Sequence, residues 1–243
     1  MAVQNTLTKK KESTGVIEYQ SGNQTVKLSP AMIRNYLVSG GGAVSDQEVM
    51  MFLSLCKFQQ LNPFLHEAYL IKFGNSPATM VVGKDVFIKR ASRNPAYDGK
   101  QAGIIVMEKE TGKLIEREGE FYIADEETLV GGWAKVWIKG HSVPEYAAIS
   151  FAEYAGRKSN GELNNQWATK PATMLRKVAL VHALREAFPE EMSGMYAPEE
   201  IPQASEIVLD DTATAESLPM PEAPKDVQEV SAAAEDVQGA LFG

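Results

Sequence analysis

The stretch Trp133-Ala134-Lys135-Val136-Trp137-Ile138-Lys139 reads as a β-strand buried on one side only. Side chains along a strand alternate between its two faces. Ala134, Val136 and Ile138 then make an apolar face, while Trp133, Lys135, Trp137 and Lys139 share the other. The apolar face needs a cover. The opposite face pairs flat indoles, which can stack on unpaired bases, with ammonium groups that can meet phosphates, the combination used to hold single-stranded nucleic acid without sequence preference. A plainer reading packs one or both tryptophans under a neighbouring helix and lets the lysine stems run out to solvent.

The segments around this strand extend the pattern. Residues 1–26 are polar and aperiodic and are expected to form a flexible arm. Ser29-Pro30 has the chemistry of a helix start, and Ser39-Gly40-Gly41-Gly42 should end that helix. Ser45-x-x-Glu48 is a capping box, followed by Val49, Phe52, Leu53, Leu55 and Cys56 at helical spacing and closed by Asn62-Pro63. Strands are expected at 66–73 and 79–83, 103–107 and 113–115, 121–123, 129–139 and 145–151, with hairpin turns at Gly74-Asn75-Ser76-Pro77 and Glu110-Thr111-Gly112. Helices are expected at 84–93 and 171–188, the latter stopped by Pro189. The fold class is α+β: a twisted antiparallel sheet with packed helices, in one domain over 27–198.

The charge is unevenly placed. The formal net charge is −8, yet residues 197–243 hold eleven acids and one base, while residues 1–196 hold 23 bases and 21 acids. The acidity thus belongs to the tail, and local clusters of bases decide what the body can bind. Lys84, Lys89, Arg90 and Arg93 crowd the 84–93 helix opposite Phe87 and Ala91. Lys170, Arg176, Lys177 and Arg185 line the closing helix, with Thr173 between Lys170 and Lys177. Taken with the Trp/Lys strand, these segments fit the walls of one cationic groove, in which phosphate neutralisation supplies most of the affinity. Tyr97 and Tyr69 are weaker stacking candidates, and Trp167 is either a stacking residue or a core plug. Taken alone, each basic face reads equally as a solvated surface.

Other chemistries find little support. No Gly-x-x-x-x-Gly-Lys-[Ser/Thr] occurs, because Gly83-Lys84, Gly99-Lys100 and Gly112-Lys113 are followed by Asp, Gln and Leu; phosphate-loop use of ATP is not expected. One cysteine, Cys56, on an apolar stripe and three scattered histidines make neither a disulfide framework nor a zinc site; His182 reads as core. No metal ligands and no catalytic residues are assigned. Asp85 and Asp98-Gly99-Lys100, with Glu67, loosely match the acids and lysine of a magnesium-dependent nuclease, but Asp-Gly is equally a turn signal. No apolar run is long enough to span a membrane, and the start lacks a secretory signal; a cytoplasmic protein is expected.

Beyond residue 199 the sequence reads as a disordered acidic tail. Within it Val227, Val230, Ala234, Val237 and Leu241 repeat at 3, 4, 3, 4 spacing over 226–241. This apolar stripe is either a partner-docking helix that folds on binding, through Val227, Val230, Val237 and Leu241, or a frayed end.

Two stretches resemble a known family. Gln60-Leu61-Asn62-Pro63-Phe64-Leu65-His66-Glu67-Ala68-Tyr69, running on to Lys84-Asp85 and to Ala91-Ser92-Arg93-Asn94-Pro95-Ala96-Tyr97-Asp98-Gly99, resembles the first half of RecT-family proteins. Pro171-Ala172-Thr173-Met174-Leu175-Arg176-Lys177 and Leu184-Arg185-Glu186-Ala187-Phe188-Pro189-Glu190 resemble the second half, and the likeness covers about 30–200. The resemblance implies a phage or prophage single-strand annealing recombinase. Such proteins coat single-stranded DNA and pair complementary strands without ATP or another cofactor; magnesium dependence stays open. They bind single-stranded DNA and the annealed duplex, assemble as rings or helical filaments, and work beside a phage exonuclease; the acidic tail is a candidate docking segment for that exonuclease or for a host single-strand-binding protein. The expected DNA contacts are Lys84, Lys89, Arg90, Arg93, Lys135, Lys139, Lys170, Arg176, Lys177 and Arg185 for phosphates, with Trp133, Trp137 and Tyr97 for stacking.

Overall fold

A computed structural model describes residues 15–158 and 160–198. The first fourteen residues of the expected arm lie outside the described residues. So does the tail from 199, with Val227, Val230, Val237 and Leu241.

The chain opens with a hairpin, β1 (Ile17–Ser21) and β2 (Gln24–Leu28), turning at Gly22 with φ +59°. The expected boundary at 26 therefore falls inside a folded element. Its signal was a period-two set, Ile17 and Tyr19 against Val26 and Leu28, around a Gly-Asn turn. Tyr19, Val26 and Leu28 are buried, and the Tyr19 hydroxyl donates to the Leu61 carbonyl at 2.7 Å. A short α1 (Pro30–Met32) begins where Ser29 Oγ accepts the Met32 N–H at 3.2 Å. It runs on as a π-helical stretch, Ile33–Leu37, and then becomes β3 (Val38–Ser39), so the helix expected to reach residue 39 stops early.

The next helix, α2 (Asp46–Phe58), starts on the expected capping box: the Ser45 N–H donates to Glu48 Oε2 at 2.8 Å and the Glu48 N–H to Ser45 Oγ at 3.2 Å. Glu48 also accepts from Lys72 Nζ and from the Ala78 N–H, both at 2.7 Å. These donors, the Lys72 ammonium foremost, pull its carboxyl down to about 2. With β4 (Ala68–Ile71) and β5 (Thr79–Val82), β3 forms a small sheet in which β3–β4 is parallel and β4–β5 antiparallel.

After α3 (Lys84–Arg93) come β6 (Tyr97–Glu108), β7 (Leu114–Glu118), β8 (Glu127–Ile138) and β9 (Glu145–Ser150). They form the main antiparallel sheet, in the order β7-β6-β8-β9. Residues 121–123, expected as a strand, form a loop instead. Buried Glu127 satisfies that loop by accepting the Ile123 N–H at 2.9 Å while it pairs with Arg117. The Ile123 N–H first, and Arg117 second, hold the Glu127 carboxyl below the usual carboxylate range.

Two short helices, α4 (Phe151–Tyr154) and α5 (Asn165–Thr169), lead to α6 (Pro171–Ala187). This helix lies on the sheet face that carries buried Ala102, Ile104, Ala134, Val136, Ala147 and Ile149. The approach is close: a Cβ on Gly132 would sit 2.6 Å from the Leu175 carbonyl oxygen and 2.7 Å from its carbon. Trp167, fully buried, packs edge-on against Phe151 and so is a core plug. Among the described residues no helix is long and apolar enough to cross a membrane. Because backbone atoms cannot yield as a side-chain tip can, Gly132→Ala should cost about 1–3 kcal/mol. A urea titration followed by circular dichroism should show the lowered midpoint with the slope unchanged.

Candidate nucleic-acid interface

The inner side of α3, Val86, Phe87 and Ala91, is buried, which turns its bases outward. They do not share one task. Lys89 Nζ is ion-paired with Glu67 at 2.7 Å. Arg90 donates to the Glu191 carbonyl at 3.0 Å and also to the Gln59 carbonyl, tying three segments together. Desolvation, with Arg93 adding to it, pushes the Arg90 guanidinium below its ordinary value. Arg93 is exposed and runs beside the Gly22 turn. Lys84, at the first position of the helix, has Asp85 at 3.9 Å.

A different convergence emerges around Lys100. Lys100 lies opposite Val136 in the β6–β8 register, two residues before Ala102 opposite Ala134, on the sheet face covered by α6. Its ammonium is pushed below its usual value by partial burial first, then by Arg176 of α6 and Lys84 of α3, with Asp85 opposing them. Arg176 is held in place by its own contacts: Nε donates to the Ala102 carbonyl at 3.3 Å and a terminal nitrogen to Glu120 Oε1 at 3.0 Å. Thr173 fixes the other oxygen of that carboxylate at 2.7 Å. Three cations from three elements thus press on one place, at an electrostatic cost that an incoming anion would relieve. Sequence reasoning placed Lys84 and Arg176 here but weighed Lys100 only as a nuclease lysine. The available signal was a lysine in register with Ala102 and Ile104 on the buried side of a strand.

The Trp/Lys strand is not part of this cluster. Its tryptophans and Lys135 lie on the sheet face opposite α6, so the single groove expected from three basic elements is divided by the sheet. Trp133 is only 5% exposed and its indole N–H donates to the Arg117 carbonyl at 3.2 Å, which removes it as a stacking platform. Lys135 closes over it as well: its ammonium covers the Trp133 ring at 4.7 Å and the Tyr146 ring at 5.4 Å while pairing with Glu116 at 3.4 Å. Tyr146 donates to the same Glu116 at 2.6 Å, and burial and that carboxylate push its phenol up to about 12. Trp137 is half-buried on this face.

The remaining expected residues divide between structure and surface. Lys139 donates to the Pro95 carbonyl at 2.8 Å. Arg185 donates to the Met195 carbonyl at 2.9 Å with its guanidinium over Phe87 and Tyr196, so it clamps the chain after α6. Tyr97 is half-buried against Phe188, and burial raises its phenol. Lys170 is exposed at the start of α6, and Lys177 is half-buried further along it. His182 meets Tyr154 edge-on at 5.2 Å. Cys56 is fully buried, and its thiol is pushed up to about 12 by that burial. Among the described residues no three histidine, cysteine or carboxylate side chains gather in a metal-binding group, so Glu67, Asp85 and Asp98 are not brought together. A cavity of about 410 Å³ lies between the end of α2 and α3, lined by Phe58, Leu61, Val86, Lys89, Arg93 and Glu191 among others.

A model of the RecT family matches residues 23–212, which includes Lys84, Lys100 and Arg176. The chain belongs to the RecT family. The chain is also similar to the uncharacterized protein UU154 of Ureaplasma parvum serovar 3, with 29% identity over 155 residues. That alignment covers 64% of this chain and 57% of the relative, so the chain spans a little over half the length of the curated relative it matches.

The crowding at Lys100 has a thermodynamic signature. A lysine whose folded pKa is lowered is held charged at a cost to the folded state, and that cost disappears as pH rises past its ordinary value of 10.5. Lys100→Met, which keeps the aliphatic stem, should therefore raise the urea midpoint at pH 7. The gain should shrink in high salt and toward pH 11. An unchanged or lowered midpoint at pH 7 would mean that the three cations do not repel one another.

Proposed function

We propose that this chain is an ATP-independent DNA annealing protein that holds single strands by their phosphates on the Lys84, Lys100 and Arg176 cluster. What supports the reading most is that cluster: Lys100 of β6, half-buried on the sheet face under α6, with Arg176 of α6 and Lys84 of α3 both bearing on its ammonium, inside the span matched by the family. Lys170 and Lys177 continue the positive track along α6. A phosphodiester entering the cluster removes like-charge repulsion and releases counterions, so binding is favourable whatever the base sequence. Specificity then comes from the second strand. With the first strand fixed by its backbone and its bases turned outward, an incoming strand samples registers, and a correct register persists because pairing and stacking add up along it. The protein contributes screening between two polyanions and alignment by neighbouring copies in a ring or filament; no bond is made or broken. Trp137 and Tyr97 remain the aromatic residues open to stacking.

The setting is phage or prophage recombination in the cytoplasm of a bacterial host, downstream of an exonuclease that exposes single strands. The acidic tail, through Val227, Val230, Val237 and Leu241, would dock that exonuclease or a host single-strand-binding protein. Without ATP, the full chain should pair two complementary fluorescent oligonucleotides much faster than they pair alone, leave a non-complementary pair separate, and return strands of unchanged length with or without magnesium. Strands shortened only with magnesium would replace this reading with a metal-dependent nuclease. No acceleration at all would overturn it outright.

A further inference from the structure

Two exposed apolar surfaces lie at opposite ends of α6, and their charges are opposite. At the start of the helix, the loop between β7 and β8 carries Phe121, 77% exposed, and Ile123, next to the Glu120 that binds Thr173 and Arg176. Among the described residues its neighbours Glu118, Asp125 and Glu126 make no ion pair. Residues 108–127 hold eight acids against three bases. At the other end, Phe58 is 83% exposed at the close of α2 and borders the cavity of about 410 Å³, whose floor includes Leu61 and Val86. The neighbouring Gln59 donates to Ser193, past the end of α6, at 3.0 Å. The cavity lining carries Lys89, Arg90 and Arg93 against Glu67 and Glu191, with Lys57 next to Phe58 in sequence; Glu67 is taken up by Lys89, while Lys57 and Arg93 make no ion pair among the described residues. Met50 and Met51 extend the apolar strip along α2. At 1.5 Å per residue, the 17 residues of α6 span about 25 Å between its two ends.

We infer that the occupant of each surface is a second copy of this chain, with Phe121 of one copy entering the cavity beside Phe58 of the next. Both the apolar match and the charge match call for it. The unpaired carboxylates around Phe121 would meet unpaired Arg93 in the cavity lining and Lys57 beside Phe58, whereas two copies of the Phe121 end brought together would set carboxylates face to face. A knob at one end and a hole at the other make a heterologous contact, which repeats into a ring or an open filament and does not close as a two-fold dimer. Each step along such an array repeats the Lys84, Lys100 and Arg176 cluster, which gives one strand a row of phosphate sites. This assigns a surface to the neighbouring copies invoked under the proposed function, and it takes Lys89 and Arg93 away from the DNA.

The test uses the full chain with Phe121→Glu and Phe58→Glu, both at exposed positions where folding can be checked by circular dichroism. Sedimentation is followed over a range of concentrations, with and without an oligonucleotide short enough to hold one copy. Wild type should assemble, and each variant alone should stay monomeric. An equimolar mixture of the two should stop at twice the monomer mass, because one intact knob meets one intact hole and nothing further can add. A wild type that stays monomeric in every condition, a variant that assembles as wild type does, or a mixture that stays monomeric would each overturn the inference. Binding of a short oligonucleotide is read in parallel. Folded Phe121→Glu should bind it as wild type does, so a loss of DNA binding by Lys84 and Lys100 variants that still assemble bears on the DNA site alone.

Discussion

The architecture depends on the contact between α6 and the main sheet. Gly132 lets the Leu175 backbone lie against β8, and Ala102, Ala134 and Ala147 keep that face shallow enough for a helix to settle on it. Larger side chains at these positions would lift the helix, and close-packed interiors do not absorb such changes without loss. The consequences reach beyond stability. Only with α6 seated this close does Arg176 reach the Ala102 carbonyl and stand next to Lys100, and only then does Glu120 bridge Thr173 and Arg176.

This seating places charge where hydrophobic packing alone would not. Lys100 shares a sheet face with core residues and lies near two further cations, an arrangement that costs the empty protein free energy and that an anion would relieve. Several other bases are neutralised singly: Lys89 with Glu67, Lys72 with Glu48, Lys135 with Glu116. Set against those pairs, the Lys84, Lys100 and Arg176 cluster stands out because its carboxylates, Asp85 and Glu120, are outnumbered. A surface that keeps uncompensated charge at a stability cost is the usual mark of a binding site.

Local signals carried much of the fold. The capping box at Ser45, the bounds of α3 and the start of α6 at Pro171 were legible because caps, prolines and apolar spacing act within a few residues. The β1–β2 hairpin was legible in principle through its alternation and its Gly-Asn turn, but polar composition masked it. The site was less legible, for a reason of geometry. Sequence spacing gives the face of one element and does not say which faces of different elements meet. The Trp133/Lys135 face had the right chemistry for a single strand but closes on itself through Tyr146 and Glu116, which lie in other strands. Lys100 showed the converse: unremarkable beside a turn, it acquires its character from α3 and α6. Arg185 and Arg90 likewise looked like phosphate ligands and turn out to brace the chain on either side of α3.

The central claim is that Lys84, Lys100 and Arg176 carry the phosphates of a bound strand. Its most direct test is the salt dependence of oligonucleotide affinity for the wild-type protein and for Lys84→Ala combined with Lys100→Ala. Each phosphate contact on a single strand contributes about 0.7 to the slope of log affinity against log salt. The double variant should therefore bind more weakly at low salt, with a slope flatter by roughly 1.4. A folded double variant whose line coincides with that of wild type would contradict the account.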